Sequence, residues 1–315
     1  MTNNSTVTSL VQTLADQLCE KVRQKASANP RTYGFEYEFL PERIMDRTDL
    51  RQITAYLPQW GFYEQEGFFF TNFGLGVTFE PGGQIEYHSP PLLPDDSEKF
   101  YQSLATIEKT NLAIREALGI DYIGTGYLPG RAEAPLCLDN PRYHLLHERL
   151  KTTGTRGMEM MKGTASIHLH TVIRDYRELV PIYLHLAHQM IPSQTFGMKA
   201  ERDDIWNNTD PGRCGLPYEN ITPDSPPRAL IEEFTRVAVL AEVLGKDIPF
   251  WQTTKTDFDS FLWHLTTIFT DIRLNIKGPT LELRTPDSVP PPVFESMWER
   301  FVQQMSTITG EVPSS

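Results

Sequence analysis

The segment Phe79-Glu80-Pro81-Gly82-Gly83-Gln84-Ile85-Glu86-Tyr87 sets the architecture expected of this chain. Apolar and aromatic residues flank a Pro-Gly-Gly turn, which predicts a tight β-hairpin, because proline presets the backbone and the two glycines permit positive φ. Glu80 enters the turn and Glu86 lies in the returning strand. Two carboxylates at one turn repel each other unless a cation lies between them. The segment therefore indicates either a cation site or an exposed acidic hairpin.

Composition and charge are those of an ordinary globular protein. The chain has 315 residues, of which 39% are hydrophobic and 22% charged, and this length supports one large core. A formal net charge of −12 argues against a surface for nucleic acid or anionic membrane. The three cysteines are far apart, and the sequence shows no transmembrane run and no signal peptide. We expect a cytoplasmic protein, monomeric or homodimeric, with a single domain over residues 1–315.

Three further strand-like segments carry polar residues on one face. In residues 33–40 aromatic and acidic residues alternate, so the acidic side chains share a face opposite a buried aromatic face. The same spacing of two recurs in residues 160–171 and 280–284. For each segment taken alone, the alternative to a functional site is a strand face that only contacts solvent. The polar pairs are Glu36 and Glu38, Glu80 and Glu86, His168 and His170 with Thr164 and Ser166 beside them, and Glu282 and Arg284.

Together these pairs predict a divalent-cation centre. One sheet face would carry five carboxylates, two imidazoles and a guanidinium. Burying these groups without water or partners of opposite charge costs free energy. Carboxylates with a few imidazoles suit Mg²⁺ or Mn²⁺ better than a structural zinc. Such sites usually serve nucleotide phosphates, yet the chain has no Walker loop and no Rossmann fingerprint. Metal ions and arginine would therefore bind the phosphates.

Hydrophobic periodicity divides the rest of the chain into short elements. The first helix carries its apolar stripe over residues 8–28 and ends at Asn29-Pro30, within an N-terminal helical segment of residues 1–30. Further helices are expected at residues 48–57, 94–118, 141–150, 174–191, 227–243, 257–265 and 293–308, and further strands at 61–71, 76–80, 121–126 and 272–276.

A long connection, residues 193–226, has the composition of an ordered binding loop. It contains Arg202, Trp206, Asp210 and Arg213, and connections of this length inside a domain are usually functional or disordered. Arg213 is the candidate for gripping a substrate carboxylate, because a guanidinium binds carboxylates bidentately. One alternative is that the connection is a surface loop without function. The other is that Arg213 pairs with Asp210 and only stabilises the conformation of the loop.

The chain resembles the plant-type glutamate–cysteine ligases and related carboxylate–amine ligases, which share the catalytic fold of glutamine synthetase. The resemblance covers roughly residues 33–300. The Glu-Pro-Gly-Gly-Gln hairpin and the Thr-Asp-x-x-Arg loop are distinctive. The matching pieces are Gly34-Phe35-Glu36-Tyr37-Glu38, Glu80 to Glu86, Met160-Met161 with Thr164, Trp206-x-x-Thr209-Asp210-x-x-Arg213-x-Gly215, His264 to Phe269, and Glu282-Leu283-Arg284-x-x-Asp287.

The resemblance implies an α+β fold of the glutamine synthetase-like catalytic type, with a curved, largely antiparallel sheet and helices on its outer face. It implies an ATP-dependent ligase that uses Mg²⁺ or Mn²⁺. ATP phosphorylates a substrate carboxylate, usually the γ-carboxylate of glutamate, and an amine, usually that of cysteine, attacks the acyl phosphate. This reaction makes γ-glutamylcysteine for glutathione biosynthesis.

Residue roles follow from the same resemblance. Glu36 and Glu38 each reach a Mg²⁺ site, and Glu80 and Glu86 complete one of them. His168 and Glu282 resemble ligands of the site that bridges the ATP phosphates. The groups implied to bind ATP and stabilise the transferring phosphoryl are His170, Arg202 and Arg284. The residues implied to contact the substrate are Arg213, Trp206, Thr164 and Asp210.

Two alternatives to glutamate–cysteine ligation stay open. Plant-type members have Gln and Asn at the positions of His168 and His170, and the His-x-His form resembles glutamine synthetase itself and the bacterial carboxylate–amine ligases. The same chemistry could therefore act on another acid or amine in a specialised pathway. A catalytically silent binding protein is the other alternative. It predicts lost metal ligands, and none of the predicted ligands is lost.

Overall fold

The computed structural model of the protein describes residues 2–26, 30–215 and 220–311. Its strands are β1 (Tyr33–Pro41), β2 (Tyr63–Gln65), β3 (Phe68–Phe70), β4 (Gly76–Phe79), β5 (Ile85–His88), β6 (Tyr122–Ile123), β7 (Ile167–Val172), β8 (Ile272–Asn275) and β9 (Thr280–Leu283). They form one sheet in the order β2-β3-β4-β5-β1-β7-β9-β8, with β6 beside β1. All of these strand pairs are antiparallel.

Helices pack against this sheet. The combination of helices with an antiparallel sheet confirms the predicted α+β class. They are α1 (Thr2–Lys25), α2 (Arg47–Tyr56), α3 (Ser97–Leu118), α4 (Pro141–Thr152), α5 (Gly157–Gly163), α6 (Leu179–His185), α7 (Ala200–Asn207), α8 (Pro227–Leu240), α9 (Phe258–Leu265) and α10 (Pro291–Ile308). A π-helical turn, Leu186–Met190, continues α6. No helix in the described part of the chain is long and apolar enough to cross a bilayer.

The two faces of β1 differ as its alternating sequence predicts. Phe35 and Tyr37 are buried, and the ring of Phe35 lies 5.1 Å from Phe294 and 5.6 Å from Trp298 of α10. Edge-to-face aromatic pairs of this kind add to the free energy gained by burial. The helices cover this apolar face, and the opposite face is left to Glu36 and Glu38.

The Pro-Gly-Gly hairpin joins β4 to β5, and its two glycines are needed for different reasons. Gly83 has φ of +88°, which residues with a Cβ rarely adopt. Gly82 is needed for space, because a Cβ there would lie 2.5 Å from the carbonyl oxygen of Lys162 in α5. The Gln84 side chain bonds the backbone on both sides of this contact, accepting from the Gly82 amide at 2.9 Å and donating to the Thr164 carbonyl at 3.0 Å. The hairpin is thereby fixed against α5.

The structure corrects one predicted segment. Residues 160–163 belong to α5 and not to a strand, because Met161 packs with Leu146 and Leu150 of α4 in a separate apolar cluster. The connection 193–226, predicted to be an ordered loop, contains the helix α7, in which Trp206 is buried. In addition, α1 ends at Lys25, and Asn29 of its predicted end lies outside the described residues.

Candidate active site

Strand register brings the predicted polar residues of four strands, β1, β5, β7 and β9, onto one face of the sheet, with residues of β4 and β8 beside them. On β1, Glu36 pairs with His88 on one side and with His168 on the other. Side chains that are directly opposite on adjacent strands share a face, so one predicted pair meets the next. The further pairings across this face are Glu38 with Glu86, Thr78 with Glu86, His170 with Glu282, and Arg273 with Glu282.

Three overlapping groups on this face have the composition of cation sites. Within each group the ligand atoms all lie within 4.8 Å of one another. Each group combines two carboxylates with one imidazole, a donor set that suits Mn²⁺ at least as well as Mg²⁺, because imidazole nitrogen binds transition ions better. The groups are Glu36, His170 and Glu282; Glu36, Glu86 and His88; and Glu38, Glu86 and His168.

Glu282 is the most buried carboxylate of the cluster. Its side chain is fully buried, with Arg273 Nη2 at 2.7 Å and the Arg284 guanidinium hydrogen-bonded to it. Burial opposes its ionisation, but the charges of Arg273 and Arg284 lower the pKa of Glu282 to about 2. Glu282 is therefore held ionised at neutral pH, with both of its oxygens also hydrogen-bonded to arginine.

Glu36 lies between the two histidines of β7. His168 Nδ1 is 2.6 Å from Glu36 Oε2, and His170 Nε2 is 3.4 Å from Glu36 Oε1. Although burial opposes ionisation, the positive charge of His170 and the hydrogen bond to His168 hold the pKa of Glu36 well below its usual range. The buried His170 Nε2 has no hydrogen-bond partner among the described residues. A cation bound by Glu36 and His170 would take the place of the proton on this nitrogen.

His88 is a member of this cluster that the sequence analysis missed. Its Nε2 lies 3.2 Å from Glu86 Oε2 and 2.5 Å from Thr78 Oγ1, and its Nδ1 lies 3.9 Å from Glu36 Oε1. Burial lowers the pKa of His88, but the Glu86 and Glu36 carboxylates outweigh it and raise the pKa to about 9. The signal was present in the sequence, because His88 follows Glu86 by two residues on the same strand face.

Glu38 and Glu80 differ from the ionised carboxylates around them. Ser166 donates to Glu38 from its amide at 2.6 Å, and burial, opposed by His168, raises the pKa of Glu38. Burial and the charges of Glu86 and Glu38 raise the pKa of Glu80 well above its usual range. Glu80 belongs to none of the three groups, and its hydrogen-bond contact is the Tyr143 hydroxyl at 3.4 Å. The expected sharing of one cation by Glu80 and Glu86 stays a prediction.

The side chains of Arg202 and Trp206, both in α7, form hydrogen bonds to other segments of the protein. Arg202 is 3% exposed, and its Nη1 donates to the Thr285 carbonyl at 2.7 Å and to Asp287 at 3.1 Å. Trp206 Nε1 donates to Asp271 at 2.8 Å. The bonds of Arg202 attach α7 to the segment after β9, and its Nη2 donates to the Arg284 carbonyl at 3.1 Å. The bond of Trp206 attaches α7 to the residue before β8. The role of Arg202 in binding ATP stays a prediction.

Arg213 is also bonded internally, as the alternative in the sequence analysis describes. Its Nε donates to Asp210 at 3.1 Å, its Nη1 to the Thr267 carbonyl and hydroxyl, and its Nη2 to the Glu242 carbonyl. Four of the five donors of the guanidinium are thus used, and the residue is 1% exposed. The structure therefore contradicts the expectation that Arg213 presents a free fork to a substrate carboxylate.

Asp210 and Thr164 are likewise engaged. Asp210 is 1% exposed and accepts from Arg149 at 3.0 Å as well as from Arg213. The Thr164 hydroxyl donates to the Met160 carbonyl at 2.7 Å. These contacts fasten the connection and α5 in place, and the assigned substrate contacts of both residues stay predictions.

The cations with free donors lie elsewhere, in a cavity of about 420 Å³ above Glu36 and His88. Arg142 and Lys277 both line it. Arg142 donates from Nη2 to the Thr266 carbonyl at 2.7 Å, and its buried Nε has no hydrogen-bond partner among the described residues. Sequence reasoning missed them because neither belongs to a polar alternation. A larger cavity of about 620 Å³ lies behind α5, lined by Lys162 among others, and touches none of the three groups. We therefore place the chemistry at the smaller cavity.

The chain belongs to glutamate–cysteine ligase family 2, whose model matches residues 32–298. It is 24% identical over 247 residues to the chloroplastic glutamate–cysteine ligase of Arabidopsis thaliana, a match that covers 68% of this chain and 46% of that protein. It is 27% identical over 276 residues to the glutamate–cysteine ligase EgtA of Mycolicibacterium smegmatis, covering 76% and 60%. The chain thus spans about half of the length of the curated relatives it matches.

Among solved structures, one described as a novel glutamine synthase homolog matches 97% of this chain and 60% of its own. The identity is 12% and the TM-score is 0.37. The strand order and register of the chain itself define its fold.

Proposed function

We propose that the protein is an ATP-dependent carboxylate–amine ligase that forms an amide bond through an acyl phosphate, with glutamate as the acid and cysteine as the amine. The observation that carries this proposal is the sheet face with three overlapping groups of two carboxylates and one imidazole, next to a cavity lined by Arg142, Arg273 and Lys277. Family membership supports the same chemistry, and the relatives named above are called glutamate–cysteine ligases.

Phosphoryl transfer needs positioning and neutralisation of charge more than covalent chemistry from the protein. Glu36 and Glu282 are held ionised, so they are ready to bind divalent cations, which would neutralise the ATP phosphates when bound. Arg284 is fixed by its hydrogen bond to Glu282 and lies on the same buried face, where its charge would stabilise the transferring phosphoryl. The amine would then attack the acyl phosphate and release inorganic phosphate.

Hydroxylamine tests the reaction class independently of the natural amine, because it captures acyl phosphates as hydroxamates. We expect ATP-dependent hydroxamate formation with glutamate, and ADP release that rises further when cysteine is added. A panel of other acids and amines, assayed in the same way, tests the alternative that the same chemistry serves a different pair. Absence of both products across the panel, in a protein that binds metal, would contradict the ligase and favour a binding protein.

A further inference from the structure

Asp271, the residue before β8, lies on the same face of the sheet as the candidate cation groups. The Arg284 amide donates to the Asp271 carbonyl at 2.9 Å. This bond continues the register of the two strands, in which Ile272 pairs with Leu283. Side chains that are directly opposite on antiparallel strands share a face, with Cβ atoms about 4.5–5.5 Å apart. Asp271 is therefore a direct neighbour of Arg284, which is hydrogen-bonded to Glu282 of the cation cluster.

The side chain of Asp271 is held at one oxygen and open at the other. Its Oδ1 accepts from Trp206 Nε1 at 2.8 Å, and Trp206 is buried. Its Oδ2 has no hydrogen-bond partner among the described residues and is not fully buried. A carboxylate that is fixed through one oxygen and accessible through the other is positioned to take a proton from a bound molecule.

The position of Asp271 leaves it outside the cation groups. It belongs to none of the three, whereas Glu38 belongs to one of them. Along β8 it precedes Arg273 by two residues, a distance of about 7 Å, and Arg273 lines the 420 Å³ cavity. Asp271 thus lies at the end of the site away from the cavity. A molecule bound beside Arg284 would have the free oxygen of Asp271 next to it.

The surroundings of Asp271 favour proton uptake. Burial raises the pKa of Asp271 to about 6, although the hydrogen bond from Trp206 and the charge of Arg202 oppose this shift. The carboxylate is then mostly ionised at neutral pH and binds a proton more tightly than an ordinary aspartate, as an efficient general base requires. The charged and titratable groups that face it are Arg202 and Asp203 of α7, Arg284 after β9, Tyr183 of α6, and Cys214.

We propose that Asp271 is the general base of the amide-forming step, the group that takes a proton from the attacking amine. The inference rests on the proposed function for the class of reaction. The amine arrives as an ammonium ion, and Asp271 Oδ2 accepts one of its protons. The nitrogen then attacks the acyl carbon, and the bond from that carbon to the phosphate oxygen breaks. Phosphate leaves with the electron pair of this bond and takes the second proton that the nitrogen loses, and Asp271 returns its own proton to solvent.

Hydroxylamine separates this role from phosphoryl transfer, because it is largely uncharged at neutral pH and attacks without the help of a base. Asp271→Asn keeps the shape of the side chain and an acceptor for Trp206, but it does not take up the proton. We expect cysteine-dependent ADP release to fall about 10²–10⁴-fold, the usual contribution of a general base. Hydroxamate formation from glutamate and ATP should stay close to that of the wild type. Asp95→Asn, an exposed residue before α3, is the matched control.

Two further measurements distinguish proton transfer from a structural role. Asp271→Asn depends on amine that is already deprotonated in solution, so its rate with cysteine should rise with pH more steeply than that of the wild type. Asp271→Glu restores a carboxylate and should recover part of the reaction with cysteine.

The inference is overturned if Asp271→Asn reacts with cysteine as fast as the wild type, or if it loses the cysteine and hydroxylamine reactions equally, as a structural role predicts. Retained hydroxamate formation also shows that the variant is folded and transfers the phosphoryl group. The proposed function fails separately, if the wild type itself yields neither ADP nor hydroxamate.

Discussion

Glu86 connects two of the three candidate cation groups, with His88 in one and His168 in the other. Glu86→Gln keeps the shape of the side chain and removes its charge. We expect turnover to fall at least about a hundredfold, as loss of a preorganised electrostatic group commonly does, while the fold survives because repulsion with neighbouring carboxylates is relieved. ADP release and thermal unfolding measure the two effects, and Glu116→Gln on the exposed side of α3 is the control. Near-normal turnover would show that the charge of Glu86 takes no part in the reaction.

Arg213 illustrates a residue whose role depends on its partners. Because Arg213 is buried and bonded to Asp210, Thr267 and Glu242, Arg213→Lys loses hydrogen bonds that one ammonium cannot replace. We expect the free energy of unfolding to fall by about 1–3 kcal/mol with little change in the KM of the acid substrate. Arg236→Lys on the exposed side of α8 is the matched control. A strong rise in KM at unchanged stability would restore the substrate role of Arg213.

At the scale of elements, the turn between β4 and β5 depends on its contact with α5. Gly82→Ala places a methyl group 2.5 Å from the Lys162 carbonyl oxygen, so the hairpin or α5 must move. We expect destabilisation of about 1–3 kcal/mol, the usual cost of overpacking, together with reduced turnover because Glu86 moves with the hairpin. Gly278→Ala is the control, since no heavy atom lies within 4 Å of a Cβ there. Equal melting temperatures for both variants would contradict the contact.

Helix α9 contains a histidine whose burial makes stability depend on pH. His264 is fully buried, stacks on Phe250 and binds the Ala238 carbonyl at 2.9 Å. Burial and the nearby charge of Arg213 lower its pKa to about 4 from the usual 6.5. The unfolded chain therefore takes up the proton first as pH falls below 6.5, and the folded state loses stability by about 2 kcal/mol between pH 7 and pH 5.

The variant His264→Gln keeps a donor for the Ala238 carbonyl and does not titrate. We expect it to be less stable than the wild type at pH 7, but to lose less stability than the wild type between pH 7 and pH 5. Denaturant unfolding at the two pH values measures the free energy of unfolding of each protein. The contributions of the other titrating groups are the same in both proteins and cancel in the comparison. The same acid loss in both proteins would show that folding does not lower the pKa of His264.

At the scale of the whole molecule, the five carboxylates on one sheet face oppose the binding of an anionic nucleotide. We expect ATP to bind only when a divalent cation is present, and Mn²⁺ to support binding at least as well as Mg²⁺, because each candidate group contains one imidazole. Calorimetry with ATP in EDTA, in Mg²⁺ and in Mn²⁺ measures this. Equal affinity in EDTA and in Mg²⁺ would exclude the cation groups from nucleotide binding.

Local sequence determined the strands and which side chains share a face, because alternation with period two is a property of the backbone alone. The segment 33–40, the Pro-Gly-Gly hairpin and the spacing of His168 and His170 could be read directly from neighbouring residues. The α+β class followed from the resemblance that those residues carried. The single-domain organisation over residues 1–315 stays a prediction.

Tertiary structure determined which other groups these residues contact. His88 joins the cluster because β5 lies beside β1 in a register that sets it opposite Glu36. Arg213 and Arg202 are bonded inside the protein because distant carbonyls and carboxylates happen to reach them, and no local pattern encodes such partners. The 420 Å³ cavity likewise forms only when β3 and α9, about two hundred residues apart in the sequence, come together. Hydrogen bonding and packing between remote segments depend on the whole fold, so this information was absent from any one stretch of the chain.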